Sequence, residues 1–244
     1  MYKFSLKKLT KEQKNLRSKI LELSYKSNLS HLGSCLSSID LIDAVYKIKK
    51  KDEKFILSNG HAGIAWYAVL EKYGYIKDPK VIKKLNIHPD RNIKYGIHVS
   101  TGSLGQGLPI ALGMALADRK KNVYCMISDG ECAEGSVWEA LRVASEKRVY
   151  NLKIILNANG WGAYDKVNLA YLAKRFKGFG YNISNVNGHD SKKVLSALKK
   201  INSNKLSILF AYTSVEQFPF LKGQNAHYYV LKDVDYEEGI NLLT

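Results

Sequence analysis

Asn122-Val123-Tyr124-Cys125-Met126-Ile127-Ser128-Asp129-Gly130-Glu131 carries an apolar strand straight into a carboxylate and a glycine. A stretch of helical period follows over residues 134–146, and a second apolar run, 152–156, leads into Asn157-Ala158-Asn159-Gly160-Trp161. Strand, helix and strand of these lengths make one crossover unit of a parallel sheet. The crossover sets Asp129 and Asn159, 159 − 129 = 30 residues apart, side by side on the sheet's carboxyl edge. Open α/β sheets bind their ligands at that edge. One carboxylate, one amide oxygen and a nearby backbone carbonyl form a hard oxygen set. Mg2+ takes such sets and completes its octahedron with phosphate oxygens and water. Gly130 lets the backbone approach a diphosphate with no side chain in the way.

The alternation extends in both directions. Residues 11–26 read as a helix with Leu16, Ile20 and Leu23 on one face, and 39–48 as a second helix capped by Ser37 and Ser38. A short strand over 54–57 ends in Ser58-Asn59-Gly60-His61 and precedes a helix over 63–73. Helices over 104–119, 169–179 and 191–200, strands over 181–184 and 206–213, and a terminal helix within 233–244 complete the pattern. Helical segments alternating with β-branched runs predict an α/β fold, a mostly parallel sheet with helices on both faces, in one domain over 1–244. Residues 78–103 lack regular pattern and are rich in His, Pro, Asn and Gly, which reads as a functional loop.

Composition narrows the classes. With 45% hydrophobic and 25% charged residues and only 4 prolines, collagen-like and disordered chains are excluded. Three cysteines, Cys35, Cys125 and Cys132, contain no CxxC pair, which argues against a disulfide framework or zinc knuckle and for a reducing, cytoplasmic setting. Cys125 and Cys132 read as small apolar residues. The basic N-terminus leads into no apolar h-region, so no signal peptide is expected. The longest apolar stretch, 108–117, falls short of the ~20 residues of a membrane span. The net charge of +16 comes from lysines scattered along the chain; only 47–54 is dense, and it contains acids. That pattern reads as a solvated surface, and without a zinc finger or RNP motif no nucleic-acid partner is expected.

Asp-Gly followed after thirty residues by Asn resembles the thiamine-diphosphate motif, and its surroundings resemble the N-terminal half of transketolases from Leu16 to about His227. The likeness rests on ordered islands: Ser30-His31-Leu32-Gly33-Ser34, Leu57-Ser58-Asn59-Gly60-His61-Ala62, His88-Pro89-Asp90-Arg91, Ser100 through Gly107, Asp129-Gly130-Glu131 with Glu134-Gly135, Asn159, and Asn187-Gly188-His189-Asp190. It implies a thiamine-diphosphate-binding fold with thiamine diphosphate and Mg2+ as cofactors, and transfer of a two-carbon ketol unit from a ketose to an aldose, sugars or sugar phosphates. Asp129, Asn159 and the carbonyl of Trp161 would be the metal ligands. His61, Asp129, Gly130, Glu131 and Asn159 would hold the cofactor, with Gly102, Ser103 and Leu104 on its aminopyrimidine side. His31, His61, His88 and His227 would serve the substrate's hydroxyls and the proton traffic. Glu134, with Glu139, would lie at an interface between active sites.

The family needs a second domain to grip the pyrimidine, and this chain stops about where the first ends. The resemblance therefore implies a separate C-terminal subunit carrying that domain, in an α2β2 assembly, with no ketol transfer by this chain alone. Departures from the family pattern are Ser128 in place of glycine, Asn157-Ala158 in place of a more acidic pair, His98 where an acid is common, and Val215-Glu216-Gln217 in place of Gly-Lys-Gly. Competing readings are the α subunit of a 2-oxoacid dehydrogenase, against which the 58–62 and 100–107 islands argue, and a non-catalytic thiamine-diphosphate-binding subunit. His189 reads as a structural residue, with Asp190 near a helix cap. Trp66 and Trp138 read as core or interface aromatics.

Overall fold

The computed structural model describes residues 4–201 and 205–244; the first three residues of the basic N-terminus lie outside them. Its frame is an all-parallel sheet of β1 (Lys54–Leu57), β2 (Val123–Ser128), β3 (Leu152–Ala158), β4 (Asn182–Asn187) and β5 (Ser207–Tyr212), in the order β1-β2-β3-β5-β4. Side chains alternate across the pleat. Tyr124 and Met126 enter one apolar cluster, Val123, Cys125 and Ile127 the other. The first cluster is closed by α1 (Lys11–Lys26), α2 (Leu32–Ile48), α3 (Gly63–Lys72), α7 (Ser191–Lys200), α8 (Asn225–Tyr228) and α9 (Asp233–Asn241). The second is closed by α4 (Gly107–Ala117), α5 (Gly135–Glu146) and α6 (Leu169–Gly178). Helices thus cover both faces of a parallel sheet, as the sequence pattern predicts. Among the described residues no helix is long and apolar enough to cross a membrane.

Several elements differ from the pattern-based bounds, for physical reasons. Helix α2 begins at Leu32, seven residues before the expected start, and Ser37 and Ser38 lie inside it, buried, instead of capping it. Every residue from Leu32 to Tyr46 is buried. A helix enclosed on all sides has no polar face, so its period leaves no trace. Gly33 sits where a Cβ would lie 2.7 Å from the Ala226 Cβ, so α2 and the chain after β5 touch almost backbone to backbone. Strand β3 runs two residues past its apolar stretch because Asn157 is satisfied inside: its amide donates to Ser37 Oγ and Ser38 Oγ at 2.9 Å, and Thr213 Oγ1 donates to its Oδ1. Helix α4 starts at Gly107, not 104, because Gly105 takes a left-handed turn (φ 83°) before it.

A buried polar strut joins α1, α2 and the turns after β4 and β5. Arg17 donates to both Asp40 oxygens, at 3.1 and 2.6 Å. His189 Nδ1 lies 2.8 Å from Asp40 Oδ2, and its Nε2 accepts from the Ser214 N–H at 2.9 Å, which fixes the tautomer. Against burial, which would raise it, Arg17 and His189 hold the Asp40 carboxyl well below its ordinary range. Gln217, in the segment that departs from Gly-Lys-Gly, accepts from Arg17 Nε at 2.8 Å and donates to the Leu36 carbonyl. The departure therefore adds a side chain that completes the strut. Asp190 caps α7 by accepting from the Lys193 N–H.

The three cysteines are buried and unpaired. Trp66 is a core residue whose indole donates to the Tyr46 hydroxyl; Trp138 is part-buried and donates to the Cys132 carbonyl.

Candidate active site

The carboxyl ends of β1, β2 and β3 lie in register, Leu57 opposite Met126 and Ser128 opposite Asn157. Their exits accordingly share one edge of the sheet. Asp129 follows β2 directly and is almost wholly buried. Its Oδ1 accepts from the Gly130 N–H at 3.1 Å and its Oδ2 from the Gly160 N–H at 2.6 Å, so the carboxylate bridges the exits of β2 and β3. Burial pushes its carboxyl up to about 7, against the pull of these N–H donors. Asn159 lies just past β3 and accepts from the Trp161 N–H at 2.9 Å. A Cβ on Gly130 would stand 2.8 Å from Gly162 Cα and 3.3 Å from the Trp161 carbonyl oxygen. Carboxylate, amide oxygen and carbonyl thus converge around a glycine that has no room for a side chain.

Beside them opens a cavity of about 170 Å³ lined by His31, His61, His88, Gly102, Leu104, Ser128, Gly130, Asn159, Trp161, His227 and Tyr228, among others. The His31 ring lies 5.4 Å from His61, 6.0 Å from His88 and 6.2 Å from Tyr228, centroid to centroid. His31 caps α2 in a left-handed conformation (φ 64°), with its N–H donating to the His227 carbonyl at 2.7 Å. His227 Nδ1 lies 2.6 Å from Ser34 Oγ. Burial, then the neighbouring imidazoles, pulls His31 down to about 4 and His61 to about 3; burial also lowers His227. These three rings are neutral at pH 7, able to donate at one nitrogen and accept at the other.

The donor set suits a divalent cation bound to a diphosphate. Three hard oxygens of this chain, only one of them charged, leave the remaining positions to phosphate and water. A cation would also offset the cost of the buried Asp129 carboxylate. Nearby, His31 Nδ1, both polar atoms of Asn59, Thr101 Oγ1 and His227 Nε2 are buried with no hydrogen-bond partner within the protein. Buried polar groups are normally satisfied, so these atoms fit a polar guest.

Other expected residues lie elsewhere. Glu131 does not line the cavity. It is wholly buried beneath it, with Oε1 accepting from Ser58 Oγ at 2.5 Å and Gly105 N–H at 2.8 Å, and Oε2 from Ser128 N–H at 3.4 Å. Burial raises its carboxyl despite these donors. Ser128, where the family pattern has glycine, accepts from the Glu131 N–H at 3.1 Å. Ser103 is exposed beside the cavity-lining Gly102 and Leu104. Glu134 is exposed at the start of α5 and borders an adjoining groove that also reaches Asp129. Glu139 is exposed and paired with Arg142. His98 is half-buried, with its imidazole lowered by burial and by Lys54, Lys49 and Arg91. Sequence reasoning missed Ser34 and Tyr228, whose hydroxyl donates to the Ala163 carbonyl at 3.0 Å. Ser34 carried a signal, since it stands inside one of the islands; Tyr228 carried none.

Comparisons with known proteins agree with this geometry. The family profile described as "Transketolase, thiamine diphosphate binding domain" matches residues 25–235. One of the two subunits of the apulose-4-phosphate transketolase of Actinobacillus succinogenes is 31% identical over 239 residues, covering 87% of each chain. The 6-deoxy-6-sulfo-D-fructose transketolase subunit SqwG of a Clostridium species is 32% identical, covering 76% of each. Human transketolase is 31% identical over 219 residues, and this chain spans 35% of its length. The crystal structure of Campylobacter jejuni transketolase superposes with a TM-score of 0.84 at 25% identity, over 96% of this chain and 42% of that one.

Proposed function

Because the chain belongs to the family of transketolase thiamine-diphosphate-binding domains, we propose that it is the diphosphate-binding subunit of a two-chain, transketolase-like transferase. The observation that carries this reading is the convergence of Asp129, Asn159 and the Trp161 carbonyl beside the histidine-lined cavity. Those three oxygens would hold Mg2+. Gly130, pressed on Gly162, would form the floor on which the diphosphate lies. When bound, the coenzyme supplies the electron sink for cleaving the bond beside a ketose carbonyl.

The protein's own share is positioning and proton handling. His31, His61, His88 and His227 orient the sugar's hydroxyls. His31, His61 and His227, as neutral imidazoles, accept or release a proton near pH 7. His227 is held by Ser34, and its carbonyl fixes the His31 backbone, so two of the four rings move as a unit. Gly102, Ser103 and Leu104 stand on the pyrimidine side. Glu134 faces outward, toward a second chain that would grip the pyrimidine in an α2β2 assembly in the cytoplasm. Two relatives similar over most of their length are named subunits, which supports a separate partner and one diphosphate-binding domain here. Among the described residues that line the cavity none is lysine or arginine. A phosphate or sulfonate at the far end of a sugar would therefore meet its cation on the partner.

The test is a thermal-shift titration with thiamine diphosphate and Mg2+. At a ligand concentration a hundred times Kd, wild type gains about 2.7 kcal/mol. Asp129→Ala should lose that gain while His88→Ala keeps most of it. Ketose-to-aldose transfer should appear only when the partner chain is added. Equal stabilisation of wild type and Asp129→Ala would refute the metal assignment; transfer by the isolated chain would refute the two-chain reading.

A further inference from the structure

A second cavity, of about 800 Å³, opens at the far edge of the sheet, where β1 begins and α3 ends. Its walls carry Lys51, Lys77 and Lys94 together with Tyr73, Tyr75 and Tyr95. Asp78 is the one carboxylate on them, and its Oδ1 accepts from the Lys80 N–H at 2.9 Å. Among the described residues none of the three ammoniums is ion-paired. More positive charge stands behind them. Lys49 Nζ lies 5.7 Å from the Tyr75 ring centroid, and Lys49, Lys54 and Arg91 all bear on the nearby His98 imidazole.

The aromatic walls are fixed. Tyr75 meets Tyr46 edge-on at 5.6 Å and 87°, and a Cβ on Gly96 would press on the Tyr75 ring at 3.0 Å. Gly74 and Gly96, both left-handed (φ 73° and 76°), turn the chain on the two banks. Lys94 Nζ lies 5.8 Å from the centroid of Tyr95, so ammonium and ring face the same space. The volume falls within the ~300–1,000 Å³ of small-molecule sites.

We propose that this groove binds a nucleoside polyphosphate, with the base on the tyrosine rings and the phosphates on Lys51, Lys77 and Lys94. Three unpaired ammoniums against one carboxylate select an anion. Rigid phenol faces select one with a planar π-system, because stacking on tyrosine accepts any base. An inorganic polyphosphate would use the lysines and ignore the rings. A single RNA strand would use both but extend beyond the groove. The site stands apart from the cavity at the carboxyl edge and does not depend on the function proposed for it.

The experiment is calorimetric titration of the full chain, presaturated with thiamine diphosphate and Mg2+ so that the other site is filled. The probes are ATP, tripolyphosphate, adenosine and a uridine decamer. ATP should bind with tripolyphosphate about tenfold weaker, since base stacking is worth about one decade in affinity. Changing Lys51, Lys77 and Lys94 together to alanine should weaken ATP at least about tenfold; these are exposed side chains, so the unfolding midpoint should hold. Tyr95→Leu should weaken ATP and spare tripolyphosphate. Equal affinity for ATP and tripolyphosphate would overturn the proposal, as would no ATP binding at millimolar concentration. Indifference to the triple change, or a decamer that binds more tightly through the same lysines, would overturn it too.

Discussion

Removing the Glu131 carboxylate should cost far more stability than an unneeded side chain would. Three donors from three different segments converge on it: the Ser58 hydroxyl after β1, the Gly105 N–H before α4 and the Ser128 N–H at the end of β2. In Glu131→Ala the Ser58 and Gly105 donors lose short bonds in a buried place. An abandoned buried donor costs about 1–3 kcal/mol. The Ser128 contact, at 3.4 Å, is weak and adds little. Part of the loss is returned because a buried carboxylate, whose ionisation burial already disfavours, is gone. The net is about 2–4 kcal/mol, a large fraction of the ~5–15 kcal/mol that holds a domain folded. Glu131→Gln keeps shape and one acceptor for Ser58 and Gly105, and turns an amide toward Ser128; about 1 kcal/mol is expected. Urea unfolding, with the slope held constant, measures both. An alanine variant within about 0.5 kcal/mol of wild type would refute a structural role for this carboxylate. If the glutamine variant instead lost coenzyme affinity with stability intact, Glu131 would be touching the coenzyme itself.

Gly130→Ala places a methyl 2.8 Å from the Gly162 backbone, so it should cost about 1–3 kcal/mol and weaken coenzyme binding, read by unfolding and by thermal shift. Asp40→Asn strips the buried Arg17 of its counter-charge and should cost about 3–5 kcal/mol in urea unfolding; a change near zero would mean that Gln217 suffices. His61 takes a proton at about 3 in the folded chain but near 6.5 when unfolded. The unfolded state therefore binds more protons over that window, and the stability His61 contributes falls as pH drops below 6.5. Asp129 and Glu131, shifted up, act in the opposite sense, so the difference between wild type and His61→Gln isolates the imidazole. That difference should narrow by about 2 kcal/mol from about pH 7.5 to 5, and an unchanged gap would remove His61 from the buried set.

Where a segment has one wet and one dry side, its sequence spelled out its structure. Helices α1 and α7 match the expected bounds residue for residue, as does β1. Thr10 and Gln13 even form a reciprocal cap at the start of α1. The reading failed where burial erased contrast. Helix α2 has no exposed flank over its first fifteen residues, and Asn157, a polar residue in β3, is satisfied by serines more than a hundred positions away. Strand β4 failed for the opposite reason, because its asparagines look like turn residues yet stand on an exposed sheet edge. The site divided the same way. Asp129, Asn159 and the histidines were visible as residue types at fixed spacing. The burial of Glu131, the seat of Ser34 under His227 and the entry of Tyr228 depend on which distant segments meet, and no local pattern encodes that.

The bond from the His31 N–H to the His227 carbonyl ties the start of α2 to a turn near the far end of the chain. During synthesis the ribosome must therefore release nearly the entire polypeptide before the pocket has its last wall. Until then the early helices can gather on the sheet, but the nascent protein has nowhere to lodge a coenzyme. Loading is in this sense a post-translational event, and a truncation just before Ala226 would yield a folded-looking but unfillable product.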